Sequence, residues 1–300
     1  MRRRSLIPAV ALLGTALISS GCTVGDTGRV KPSLAASPSQ ATAPSDTLPS
    51  VARPSVSVPP PPPPSKLSEA FSTVAQGETV GVAFAPVGSG ATGERAIVLG
   101  DDGDVAWSTS KVPLVIAALQ RFGPSAQAQS QRAIEASDNA AAQALWDRFG
   151  GGDAAAQAVD RVLHDGGDTE TGTQSEVTRP GYTAFGQTDW TYKDQAVFAA
   201  HLPCMPQAKT VLKLMGEVDA NQRWGVQPVF PGAQVKGGWG PTVDGRYQVR
   251  QLAVIRTDRG EIGVSIGTVA ASFEAGQQTL NRIGRWVRDH AAELPAGQCG

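Results

Sequence analysis

Cysteine and histidine are scarce, with three of each in 300 residues. Cys204 has a single histidine, His201, close to it in sequence and Cys299 has no Cys or His near it at ligand spacing, too few for the four-ligand set of a structural zinc site, and no cofactor is expected. His164, His201 and His290 show no arrangement with Ser and Asp of the kind a hydrolytic triad requires. Charge of one sign is lacking as well. Lys plus Arg number 26 against 27 Asp plus Glu, a net charge of −1. There is no basic stripe, which excludes a nucleic-acid partner. The apolar run 6–18 is too short, with its flanks, to span a bilayer. No sequence repeat is present, which excludes a solenoid.

What the N-terminus does hold is a targeting pattern. Arg2, Arg3 and Arg4 precede the apolar run, and Ser19, Ser20, Gly21 and Cys22 follow it. This resembles the lipobox of bacterial lipoproteins, although Ser19 stands where Leu is usual. The resemblance implies that residues 1–21 are a signal peptide and that Cys22 becomes the lipid-modified N-terminus. The protein would then be exported and anchored to the outer face of the cell membrane, each buried methylene contributing about 0.8 kcal/mol. A plain secretory signal with an incidental Cys is the alternative. Loss of the three arginines leaves a net charge of about −4. Residues 22–65 are rich in Pro, Ser, Ala and Thr, nearly lack aromatics and contain the run Pro59 to Pro64. Such a segment cannot bury enough apolar surface to fold, and it reads as a tether on the order of 100 Å long when stretched. In an exported chain the other two cysteines, Cys204 and Cys299, can pair. The closed loop would contribute roughly 4–5 kcal/mol in the chain-entropy model, with two buried thiols as the alternative.

Residues 66–300 carry the folded domain. Leu67, Phe71 and Val74 sit at helical spacing, and strand-like runs follow over 79–85 and 95–99. Asp101 to Asp104 reads as a turn. Val112, Val115, Ile116 and Leu119 mark one face of a helix. Further helices are predicted over 126–136, 139–149 and 153–163, the last capped by Asp153, then near 192–201 and 206–217. Residues 164–190 form a long loop. Paired strands over 247–256 and 261–270 flank the turn 257–260, and an amphipathic helix over 273–292 points Leu280, Ile283, Trp286 and Val287 inward. The order gives an α/β (α+β) fold: an antiparallel sheet flanked by helices, with an inserted all-helical lobe.

Three short segments can carry chemistry. Ser108-Thr109-Ser110-Lys111 puts a hydroxyl and an amine three residues apart at a helix start, on one face and beside free amides. A lowered Lys pKa would let it take the Ser proton. Ser137-Asp138-Asn139 offers a relay hydroxyl and a substrate-binding amide, or, more plainly, a Ser cap on the next helix. Lys236-Gly237-Gly238 ends a short strand that opens at Ala233, where a cation can face an anion and glycines admit a ligand to the strand edge. Its plainer reading is a hairpin turn. Gly88 to Gly93 spells G-x-G-x-x-G, but a strand follows, so it reads as a hairpin loop.

Taken in order, the three resemble the S-x-x-K, S-D-N and K-T-G set of class A β-lactamases and penicillin-binding proteins. The flanking Ala106-Trp107, the run Glu135 to Gly151 and Arg223-Trp224-Gly225 add to the likeness. The resemblance implies a β-lactamase/transpeptidase-like fold, with a small-molecule or cell-wall peptide substrate. Ser108 would be the nucleophile and Lys111 its general base or the partner of that base. Ser137 would move the proton, and Lys236 would attract the anionic end of the substrate. Asn139, Gly237 and Gly238 would bind substrate, and the amides of Ser108 and Trp239 would form the oxyanion hole. The chain departs from the family at four points. Only about 29 residues separate Ser108 from Ser137, roughly half the usual interval. Gly237 lacks the usual hydroxyl, a loss of about 1.5–3 kcal/mol for a charged acceptor. Trp239 is bulky where a small residue is usual. Glu176 stands near the place of the deacylation base without its E-P-x-x-N setting, and Glu170 is a weaker substitute. These departures leave open a non-catalytic lipoprotein that binds peptidoglycan-like ligands or a partner.

Overall fold

The computed structural model describes residues 65–88, 91–103 and 105–300. The signal segment, Cys22 and the proline-rich tether as far as Pro64 lie outside the described residues, as do Ser89 and Gly90 of the glycine-rich loop and Asp104 of the predicted turn.

Five antiparallel strands form one sheet: β1 (Thr79–Pro86), β2 (Ile97–Gly100), β3 (Gln234–Pro241), β4 (Tyr247–Thr257) and β5 (Gly260–Ala270), in the order β2-β1-β5-β4-β3. The hairpin β4/β5 pairs Tyr247 with Ala270 and closes at Thr257 and Gly260. β3 lies at the edge beside β4, with Lys236 opposite Leu252. It opens at Gln234 and does not end with the Lys236-Gly237-Gly238 segment: pairing continues past the glycines to Pro241, because a glycine backbone extends as readily as it turns.

The sheet separates two apolar clusters by strand alternation. Val80, Val82 and Phe84 of β1 face one side, with α1 (Lys66–Ser72) and α8 (Phe273–Asp289). Leu280, Ile283, Trp286 and Val287 of α8 are all buried there. Ala83 and Ala85 face the other side, toward a helical lobe. The lobe comprises α2 (Lys111–Phe122), α3 (Gln127–Glu135), α4 (Asn139–Arg148), α5 (Gly152–Asp165), α6 (Tyr192–His201) and α7 (Lys209–Gly216). α2 is its centre, touched by α3, α4, α5 and α7. Consequently every residue from Lys111 to Ala118 is buried, as expected of a buried helix, and the burial extends beyond the face marked by Val112, Val115 and Ile116. Asp153 is not a cap either. Gly150, Gly151 and Gly152 run through positive φ, Gly151 holds the cap position of α5, and Asp153 falls in the first turn, where its charge suits the helix dipole.

Cys204 and Cys299 are joined, with Cα atoms 5.3 Å apart. The bond fixes the C-terminal segment, whose Gly297 exchanges backbone hydrogen bonds with Glu261 of β5 (2.7 and 3.0 Å).

Candidate active site

Ser108 lies in a single 3-10 turn, Trp107–Ser110, that runs directly into α2. Trp107 adopts φ 49°, a left-handed conformation that is uncommon for a bulky side chain and costs about 1–3 kcal/mol. The surrounding elements hold it there. The Ala106 amide donates to Thr188 O (2.7 Å), and the buried Arg250 of β4 donates to Val105 O (3.1 Å). Trp107 Nε1 donates to Gln248 Oε1 (2.7 Å). Gln195 of α6 links the turn to the sheet, donating to Thr109 Oγ1 (2.9 Å) and accepting from Ser265 Oγ of β5 (2.6 Å). Ser108 itself is half-buried and opens onto a cleft.

Ser137 also has positive φ, 55°. It does not cap α4. That position belongs to Asp138, whose carboxylate accepts from the Ala141 amide (2.9 Å) and from Arg132 Nε (3.0 Å). These bonds, the Ala141 amide first, hold the Asp138 carboxyl below its ordinary range. With capping done by Asp138, the Ser137 side chain is free to meet the two lysines.

Lys111 Nζ donates to Ser137 O (2.6 Å), Asn139 Oδ1 (2.7 Å) and, more weakly, Ser137 Oγ (3.3 Å). Lys236 Nζ donates to Ser137 Oγ (2.8 Å), Gln222 Oε1 (2.7 Å) and Gly237 O (3.0 Å). The two lysines are 1 % and 0 % exposed, and every one of these acceptors is neutral. Burial without a counter-charge disfavours the ammonium form. It lowers Lys111 to about 7, with Asp138 opposing the shift only in part. Lys236 is pushed well below its ordinary value by burial first and by the neighbouring Lys111 second. Near neutral pH the pair therefore carries an amine able to accept a proton.

β3 completes the arrangement. A Cβ at Gly238 would lie 2.8 Å from Ala106 O and 3.0 Å from Ser108 N, so the strand can pass this close to the turn only as glycine. The amide of Ser108 and the stretch of β3 at Trp239 thereby border one cleft of about 350 Å³. Trp107, Asn139, Tyr182, Thr183, Trp239 and Tyr247 contribute its side-chain walls. Gly237 opens onto no empty space: a Cβ there would meet the Trp224 ring at 2.7 and 2.9 Å.

The structure thus brings Ser108, Lys111, Ser137, Asn139, Lys236, Gly238 and Trp239 together. It does not bring Glu176, which is exposed, nor Glu170, also exposed, among the cleft-lining residues. Gln222 escapes sequence reasoning. It is buried, binds Lys236 and donates to Glu135 O (2.6 Å). Its one signal is its place just before Arg223-Trp224-Gly225. Of the tryptophans, Trp107 and Trp239 line the cleft. Trp190 and Trp224 are core residues, with Nε1 donating to Asp168 Oδ2 (2.8 Å) and Asn221 O (3.0 Å) respectively.

This architecture has known counterparts. A mutant of the reconstructed class A β-lactamase of the last common ancestor of Gram-negative bacteria superposes with a TM-score of 0.58 at 19% identity, covering 76% of this chain and 99% of that one. The chromosome-encoded β-lactamase of Vibrio parahaemolyticus gives 0.58 at 17% (76% and 100%). The β-lactamase of Sphaerobacter thermophilus gives 0.56 at 18% (76% and 98%). The chain has the class A β-lactamase fold. No protein-family model matches the sequence, and no curated protein matches it. In this β-lactamase fold the three sequence segments converge on one cleft: the turn before α2, the α3–α4 junction and edge strand β3.

Proposed function

We propose that the protein is a serine acyl-transfer enzyme that forms a covalent acyl-enzyme at Ser108 with amide, ester or β-lactam substrates of cell-wall type. One observation carries this reading: two buried lysines without a carboxylate partner meet at Ser137, and one of them, Lys111, stands three residues after Ser108 at the start of α2. Ser108 Oγ attacks the substrate carbonyl. A neutral amine keeps two N–H donors and gains a lone pair. Lys111 on losing its proton would give up its weakest bond, to Ser137 Oγ, and turn the lone pair toward the incoming Ser108 proton. Ser137 and Lys236 then return a proton to the leaving group. The amides of Ser108 and Trp239 receive the developing oxyanion, worth a few kcal/mol. Asn139, whose Oδ1 is held by Lys111, has its amide nitrogen left for the substrate.

Water activation is where this site is weakest. No Asp or Glu lines the cleft among the described residues, so the acyl-enzyme is released slowly. The expected result with a fluorescent penicillin is a stable one-to-one adduct in the wild type, none in Ser108→Ala, and little turnover of a chromogenic cephalosporin. Glu176→Gln leaves the adduct lifetime unchanged. No adduct with any acyl probe would favour the non-catalytic binding protein. We also propose that the protein is exported and lipid-anchored through Cys22. Metabolic labelling with an alkyne fatty acid should tag the wild type and not Cys22→Ala.

A further inference from the structure

We infer that the cleft takes an uncharged acyl donor bearing an aromatic group near the scissile carbonyl, gripped by Trp239 and the rings around it, and does not select a substrate carboxylate. The inference rests on the acyl-transfer reading above and narrows its substrate class.

The first ground is that the two described lysines at the site have no N–H left over for a ligand. An ammonium has three N–H groups. Lys236 has its three acceptors within the protein, Ser137, Gln222 and Gly237, all at 2.7–3.0 Å. Lys111 likewise has three. A carboxylate would have to displace one of these bonds at a buried site. Gly237 supplies no hydroxyl, and the volume a Thr or Ser side chain would need is occupied by Trp224. The other polar side chains of the cleft, Ser108, Asn139 and Thr183, are neutral. Arg179 lies over the rings of Tyr182 (5.0 Å) and Trp107 (5.6 Å), with Nη1 donating to Pro241 O (2.9 Å), so its guanidinium is engaged by the cleft's own wall residues.

The second ground is what the walls do present. Trp107 and Tyr182 meet edge to face at 5.2 Å on one side. On the other, Trp239 packs on Phe273 at 5.0 Å, and Tyr247 packs on the same ring at 6.1 Å. Trp224 meets Trp239 edge to face at 6.3 Å, so the indole that closes the space beside Gly237 also supports Trp239 from behind. Trp239 stays half-exposed at the rim. A flat, rigid ring held in this way binds another ring at little entropic cost.

A matched pair of esters separates the possibilities: phenyl phenylacetylglycinate and its 3-carboxyphenyl counterpart, which differ by one carboxylate on the leaving group. In each, Ser108 Oγ bonds to the ester carbon, its proton passes to the neutral Lys111 amine, the bond to the phenoxide breaks, and the phenoxide leaves with that proton. Acylation of the full-length protein is followed by intact mass. The neutral ester should acylate at least as fast as the carboxylated one. Trp239→Ala should weaken half-saturation by the neutral ester roughly tenfold, and Trp239→Phe should restore most of it. An acylation rate tenfold or more in favour of the carboxylated ester overturns the inference and leaves the acyl-transfer reading intact. So does a carboxylate preference lost in Arg179→Ala, or a Trp239→Ala variant that binds the neutral ester normally. No adduct from either ester overturns both.

Discussion

Burial without a counter-charge gives Lys111 its chemistry. Its amine sits at about 7 and would titrate near 10.5 in the unfolded chain. Above pH 7 the folded protein therefore binds fewer protons than the unfolded one, and stability rises with pH between about 7 and 10, by up to about 1.4 kcal/mol per pH unit for this group. Lys236, shifted the same way, adds to the same slope. Two results should appear together. Acylation of Ser108 rises with pH through about 7 and levels off above it. Thermal unfolding shows higher stability at pH 9 than at pH 7, a difference that shrinks in Lys111→Met. Acylation in that variant falls by about 10²–10⁴, the usual worth of a positioned base. A pH-independent acylation rate would remove Lys111 from the proton path. The S-x-x-K spacing made this residue legible from sequence, since the i and i+3 positions share a face. Gln222 was not legible, because nothing local distinguishes a buried glutamine from a solvated one.

At the level of elements, the site depends on how closely β3 passes the Ser108 turn. Gly238→Ala places a methyl against backbone, at Ala106 O and Ser108 N, and neither can move without shifting the turn. We expect it to cost about 1–3 kcal/mol in stability. Acylation should fall by at least tenfold, even where circular dichroism shows the fold intact. Unchanged acylation would mean that the strand does not set the geometry of the amides at the turn. The sequence located the β4/β5 hairpin and α8 closely, because two apolar-rich runs flank a clear turn in the first and a full amphipathic stripe marks the second. Caps were harder. Ser137 and Asp153 both look like caps, yet Asp138 and Gly151 take those places. The positive φ at Ser137 and Trp107 is imposed by tertiary hydrogen bonds, and such residues carry no local preference that would announce it.

Over the whole molecule, the disulfide ties Cys204, just after α6, to the C-terminal segment across 95 residues of chain. It closes a long loop in the unfolded state and leaves the cleft untouched. Cys204→Ser should lower stability by about 2–5 kcal/mol, seen as a lower Tm, with acylation at 25 °C preserved. A change in acylation without a change in Tm would contradict this separation. The alternation of short strands with an all-helical stretch was enough to give the sheet with its inserted lobe. The packing of Trp224 into the space beside Gly237 was not, because it joins residues from a loop and an edge strand that have no sequence relation.

The most direct test of the account is peptide mapping after exposure to an acyl probe. Tryptic digestion of the adduct should place the added mass on the peptide 96–111, which contains Ser108 and ends at Lys111. The same treatment of Ser108→Ala should leave that peptide unmodified. Label on any other peptide, or label retained on 96–111 in Ser108→Ala, would contradict the assignment of Ser108 as the nucleophile.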